Sequence, residues 1–248
     1  MSHWSTTVKR ISVLLSICVF VLGCHGLGSK KPENPIAPLG NGIRSLSSSA
    51  PLSNRFSERE LCLETAKTVA EKGYAEEAIK LYEKAEKLDS NAEPVNLPLA
   101  PLYAQVGDYS KAIERYQRAI DSGEATSEVR NNLAWTLMET HRYSEAVAVI
   151  ETGLAEESEN PRLTTTLAVT RYRMGDRQKS LEKFQEALGA SAAHYNLALL
   201  DLEAGNIESA VKHADLAAAL PDSTAEIAQL RDSIHSELAA SNGQAILR

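Results

Sequence analysis

The chain has 248 residues, with 26 Lys plus Arg against 33 Asp plus Glu for a net charge of −7, and is 43% hydrophobic but only 5% aromatic. Those fractions exclude a wholly disordered chain, and the negative balance argues against a nucleic-acid or anionic-membrane binder that works through bulk charge. The longest apolar run falls short of 18 residues, so no helix is expected to span a membrane after maturation, and three cysteines without a CxxC pair supply neither a disulfide framework nor a thiolate zinc site.

Residues 1–23 read as an export signal: Lys9 and Arg10 form the positive end, and Ile11 to Leu22 is a twelve-residue stretch, apolar but for two serines. It is too short to span a bilayer and fits a cleaved signal. Val21-Leu22-Gly23-Cys24 closes it and resembles the bacterial lipobox, which implies cleavage after Gly23 and a diacylglyceryl group on Cys24. An ordinary secretory signal that happens to end near a cysteine is the alternative. Several acyl chains on Cys24 would anchor the protein without a spanning helix. His25 stands where an Asp would favour inner-membrane retention, which points to the outer membrane, facing the periplasm.

Residues 24–56 form the expected tether, with four Pro, four Gly and six Ser from position 25 onward. Such a stretch has few groups to bury and is expected to stay disordered, with a mean reach of about 30 Å. It carries Lys30, Lys31, Arg44 and Arg55 against Glu33, so it is basic, whereas residues 57–248 hold 20 basic and 32 acidic residues, a net of −12.

From residue 57 the sequence repeats itself. Gly73, Gly107, His141 and Gly175 follow one another at intervals of 34, and Gly205 comes after 30. A small residue stands seven before each (Ala66, Ala100, Ala134, Ala168, Ala198) and another five after (Ala78, Ala112, Ala146, Ser180, Ala210). Four further on come Tyr82, Tyr116, Ile150, Phe184 and Ala214, and three beyond those Ala85, Ala119, Gly153, Ala187 and Ala217. Small residues at fixed offsets let two antiparallel helices approach closely, and Gly at the turn supplies a left-handed conformation. Each pair leaves an apolar face that only its neighbour covers. This frame resembles the tetratricopeptide repeat (TPR) over residues 59–224, which implies an all-α solenoid of five helix-turn-helix repeats: 59–92, 93–126, 127–160, 161–190 and 191–224.

The ends fit that frame. Ser57 and Glu60 make a capping box, with Phe56 placed to staple onto Leu61. Residues 225–248 are expected to cap the array: Ile227, Leu230, Ile234 and Leu238 form a one-sided stripe on a helix starting near Asp222 to Thr224, with a frayed tail from Ser241. Pro94, Pro98 and Pro101 predict that the first helix of repeat 2 begins late, near Pro98, or kinks. The four-residue deficit predicts that the second helix of repeat 4 ends early and turns sharply into Ala192.

No set of residues has the form of a catalytic or metal centre, so the expectation is a protein that is not an enzyme and holds no cofactor or metal. Histidines 25, 141, 194, 213 and 235 lack ligand spacing, and Cys62 takes a core-facing helix position. The working surface implied by the TPR resemblance is the concave side, lined by the first helix of each repeat. Its positions there include Asn131, Trp135, Met138, Tyr172, Arg173, Tyr195, Leu199 and Leu202. Trp and Tyr beside Met, Asn and Arg have the composition of a binding hot spot. Two readings of Trp135 stay open, a groove residue or one packed on a neighbouring helix.

Leu102 to Tyr109, Asn131-Asn132-Leu133-Ala134, and the short link into Ala193 to Ala198 resemble the TadD-type outer-membrane lipoproteins of tight-adherence (Flp) pilus systems. That resemblance implies a pilotin-like assembly factor whose protein partner is a secretin or pilus component, held at the membrane by lipid on Cys24 and without nucleic acid. A TPR scaffold for peptidoglycan-modifying or outer-membrane assembly enzymes is the alternative.

Overall fold

The computed structural model describes residues 56–246; the signal, Cys24 and all of the tether but Phe56 lie outside the described residues. Eleven α-helices and no strand occur among the described residues. They divide into two compact units, one ending at Glu124 and one beginning at Ala125. The first holds α1 (Glu58–Glu71), α2 (Ala75–Leu88), α3 (Asn96–Gln105) and α4 (Tyr109–Asp121). The second holds α5 (Ser127–Glu139), α6 (Tyr143–Glu156), α7 (Pro161–Arg173), α8 (Arg177–Leu188), α9 (Ala190–Glu203), α10 (Ile207–Ala219) and α11 (Ala225–Ile246). Within each unit consecutive helices pack on one another, and α5 also packs on α7, so each hairpin covers the apolar face of the last. This is the expected TPR architecture.

The repeat frame is its cause. The residues seven before the turn, Ala66, Ala100, Ala134, Ala168 and Ala198, all have no exposed surface, and Ala78, Ala112, Ala146, Ser180 and Ala210 match them across the hairpins. With only a methyl or hydroxymethyl group at the crossing, backbones approach until the larger residues Tyr82, Tyr116, Ile150 and Phe184 fill the space beside them. Gly153 takes a small position because its surroundings admit nothing more: a Cβ there would lie 2.7 Å from Leu163 Cδ1 and 3.0 Å from Arg130 Cδ.

Each hairpin turns by the same device. Gly73, Gly107, Gly175 and Gly205 have φ between 75° and 86°, and His141 takes φ 59° at the matching place. In every case the next amide reaches back to a carbonyl five residues earlier, as with Asp108 N to Tyr103 O and Arg142 N to Leu137 O, both at 2.9 Å. Asp108 and Asp176 then cap α4 and α8 by accepting from the amides of Lys111 and Lys179.

Three sequence expectations need adjustment, and a fourth, the late start of the first helix of repeat 2, holds. The capping box at Ser57 and Glu60 forms, but Phe56 and Leu61 stay 54% and 59% exposed, so no buried staple accompanies it. α3 begins at Asn96, with Pro98 in its first turn, where the missing amide costs no helical bond, and Pro101 inside the helix. α8 ends at Leu188 and Gly189 alone links it to α9, which starts at Ala190 rather than Ala192. The reason lies downstream: Asp222 Oδ2 accepts from Ser191 N at 3.1 Å and caps α9 from the far end of the next helix. α11 starts at Ala225 and continues to Ile246 instead of fraying at Ser241, with Ile227 and Ile234 buried as the stripe required.

Candidate functional site

All eight residues expected in the groove lie in the second unit, on α5, α7 and α9. The structure sorts them into two sets. Trp135 and Tyr195 are half-buried and Arg173 is exposed, so these three keep part of their side chains at the surface. Arg173 is held by Glu203, with Nη2 to Oε1 at 2.7 Å, an ion pair in which both side chains are about two-fifths exposed.

The other five serve contacts between helices. Asn131 is 1% exposed and its Oδ1 accepts from Thr166 Oγ1 at 2.6 Å, joining α5 to α7. Met138 is buried, with its sulfur 3.1 Å from Thr170 Oγ1 on α7. Leu202 joins Ala198, Ala210, Ala214 and Ile234 in the core of the last hairpin and its cap, and Leu199 is also buried. Tyr172 is buried and its hydroxyl donates to Asp201 Oδ1 at 2.6 Å. A first helix is packed between its neighbours, so only part of its surface stays open.

Asp201 is the residue the sequence reading missed. Its side chain has no exposure, yet it accepts from Tyr172, from Arg177 Nη1 at 2.5 Å, and from Ser209 Oγ at 2.6 Å. The Arg177 guanidinium also lies over the Tyr172 ring, 5.0 Å from its centroid. Burial, and then the bond to the Asp201 carboxylate, push the Tyr172 hydroxyl up to about 12, so it remains a donor at any physiological pH. The cluster ties α7, α8, α9 and α10 together. The signal in the sequence is an acid inside the apolar run Leu199 to Leu202.

In the first unit an analogous set forms around Glu86, whose carboxylate takes two bonds from Arg115, at 2.6 and 2.8 Å, and one from Val95 N. An open pocket of about 320 Å³ lies nearby, between Arg59, the link at 93–95 and the first turn of α3. Cys62 is buried on α1, as expected. Among the described residues no group of three or more His, Cys, Asp or Glu side chains is placed to hold a metal ion, and no helix is long and apolar enough to cross a membrane.

Comparison with known proteins agrees with this architecture. The family model described as Tetratricopeptide repeat matches residues 97–201. Protein FlbA of Caulobacter vibrioides is 33% identical over 105 residues, which make up 41% of this chain and 18% of that protein; the chain thus spans less than a fifth of the curated relative it matches. Among solved structures, a tetratricopeptide repeat protein from Parabacteroides merdae is 14% identical with a TM-score of 0.56, covering 77% of each chain. MamA from Desulfovibrio magneticus, residue 41 to the end, is 16% identical with a TM-score of 0.54 over 72% of this chain and 97% of its own. YrrB, described as a TPR protein with an unusual peptide-binding site, is 18% identical with a TM-score of 0.52 over 73% of this chain and 95% of its own. At these identities the structures establish the shared fold.

Proposed function

We propose that this protein is a non-catalytic adaptor of the bacterial cell envelope, anchored by lipid on Cys24 at the periplasmic face of the outer membrane, that assembles a pilus or secretion channel. The observation that carries the binding role is the open strip of the second unit. There Trp135 and Tyr195 stand half-buried on the first helices α5 and α9, Arg173 is exposed on the first helix between them, α7, and the Asp201 cluster bonds α7 to α9. Aromatic rings held on packed helices supply contact area at little entropic cost, which suits capture of an extended or helical segment of a partner. The TPR match at 97–201 supports a protein-binding role, and a peptide-binding site is described for YrrB on the same fold.

The leader ending in Leu22-Gly23-Cys24 supports lipid anchoring, and the resemblance to TadD-type lipoproteins supports a secretin or pilus component as partner. Deleting the protein and blotting for heat-resistant secretin multimers tests the assembly role: loss of multimers and of pili is expected, and unchanged multimers with unchanged piliation would overturn it. Mass spectrometry of the mature N-terminus tests the anchor, which requires an acylated Cys24.

A further inference from the structure

The last hairpin holds a pair of histidines that the binding role does not use. His194 on α9 and His213 on α10 face each other with their Nδ1 atoms 2.9 Å apart. The rings stack with centroids 5.1 Å apart and 27° between planes, and both side chains are half-buried. A contact between two ring nitrogens works only if one carries a hydrogen and the other a lone pair. The neutral pair satisfies this with opposite tautomers. A singly protonated pair satisfies it too, because the second proton site of the donor ring is Nε2. A doubly protonated pair turns two N–H groups and two positive charges against each other at the same contact.

We propose that the His194–His213 pair is a pH-operated clasp, which closes the α9–α10 hairpin while at least one ring is neutral and releases it when the second proton binds. The surroundings oppose that second proton. α8 brings Arg177 toward the pair and α10 brings Lys212, both cationic. Asp201 on α9 is the counter-charge, but its carboxylate is already taken up by Tyr172, Arg177 and Ser209. α11 brings His235, which is bound to Asp215 of α10 at 2.8 Å.

Burial lowers His194 below its ordinary value of 6.5, and burial followed by repulsion from His194 lowers His213. A lowered histidine takes up its proton more readily in the opened chain than in the closed one. The contribution to closure is therefore complete above about pH 6.5 and is lost as pH falls through the lower values of the closed state. Tyr195 is adjacent to His194, and α11 packs on α10, so release loosens the end of the open strip and the cap together.

The test uses the full-length protein in detergent and does not depend on any partner. Hydrogen exchange of backbone amides, corrected for the intrinsic effect of acidity, is compared at about pH 7.5 and pH 5 in the wild type and in His194→Gln/His213→Gln, whose amides bond without titrating. The wild type is expected to lose protection at 190–219 by at least about tenfold, with 143–173 unchanged and the double variant showing no such loss. Equal behaviour of the two proteins would overturn the clasp. Ring-resonance titration of the wild type decides independently if the variant does not fold. Two histidines with midpoints split by at least about one pH unit are expected, and independent titration of every histidine near its ordinary value would overturn the proposal.

Discussion

Removing the Asp201 carboxylate is the most informative single perturbation of the second unit, because three donors from three other helices converge on it. In Asp201→Ala, Tyr172 loses the acceptor of a buried hydroxyl, which costs about 1–3 kcal/mol. Ser209 is half-buried and Arg177 is 44% exposed, so both regain water, and their lost bonds add at most about 0.5–1 kcal/mol each. Against this stands the relief of no longer holding a fully buried carboxylate, a penalty of several kcal/mol that the three bonds already offset. The lost bonds amount to about 2–5 kcal/mol, and because the relief offsets part of this and no buried charge is left behind, the expected net loss is about 1–2 kcal/mol, below what breaking a fully buried ion pair costs. Urea unfolding followed by far-ultraviolet circular dichroism measures it, best in a cycle with Tyr172→Phe. That second change should cost about 1 kcal/mol in the wild type and close to nothing once Asp201 is gone, a coupling of about 1 kcal/mol. An Asp201→Ala loss below about 0.5 kcal/mol, or strict additivity with Tyr172→Phe, would refute the view that this cluster holds the four helices together.

Other substitutions probe the frame and the surface. His141→Gly removes a side chain held at positive φ and should stabilise by about 0.5–1 kcal/mol net of the lost contact with Tyr143, read as a raised urea midpoint; a lowered midpoint would contradict the turn argument. Ala168→Leu inserts bulk where no surface is exposed and should lower stability by about 1–3 kcal/mol, against little change for Leu at exposed Glu208. Trp135→Ala should weaken partner capture by about tenfold or more in a pull-down while the circular dichroism spectrum and melting temperature stay near wild type; a large drop in melting temperature would show that Trp135 belongs to the core.

The hairpin frame was legible because its determinants are local and periodic. Ala66 and Ala78, or Ala168 and Ser180, sit at fixed distances on either side of a turn, and a backbone crossing tolerates only small residues there. The groove was legible only in outline. Asn131, Met138 and Tyr172 fall on concave positions, yet each finds a partner on the next first helix, about thirty residues away, and is withdrawn from the surface. Burial of this kind depends on how two hairpins meet, which no single helix pattern records. The start of α9 escaped for the same reason, since its cap, Asp222, comes from beyond the following helix. The His194–His213 contact was within reach of the hairpin register: Ala198 and Ala210 lie seven before and five after Gly205, and the same antiparallel pairing carries eleven before toward eight after.

The proposed adaptor role requires the surface carrying Trp135 and Tyr195 to hold an envelope partner. Site-specific photo-crosslinking in living cells tests it most directly, with the crosslinker placed at position 135 or 195 of the full-length protein and at exposed position 208 as a control. One discrete adduct is expected at 135 and 195, identified by mass spectrometry as a secretin or pilus component, and none at 208. Crosslinks absent from both strip positions, or equally strong at 208, would contradict it.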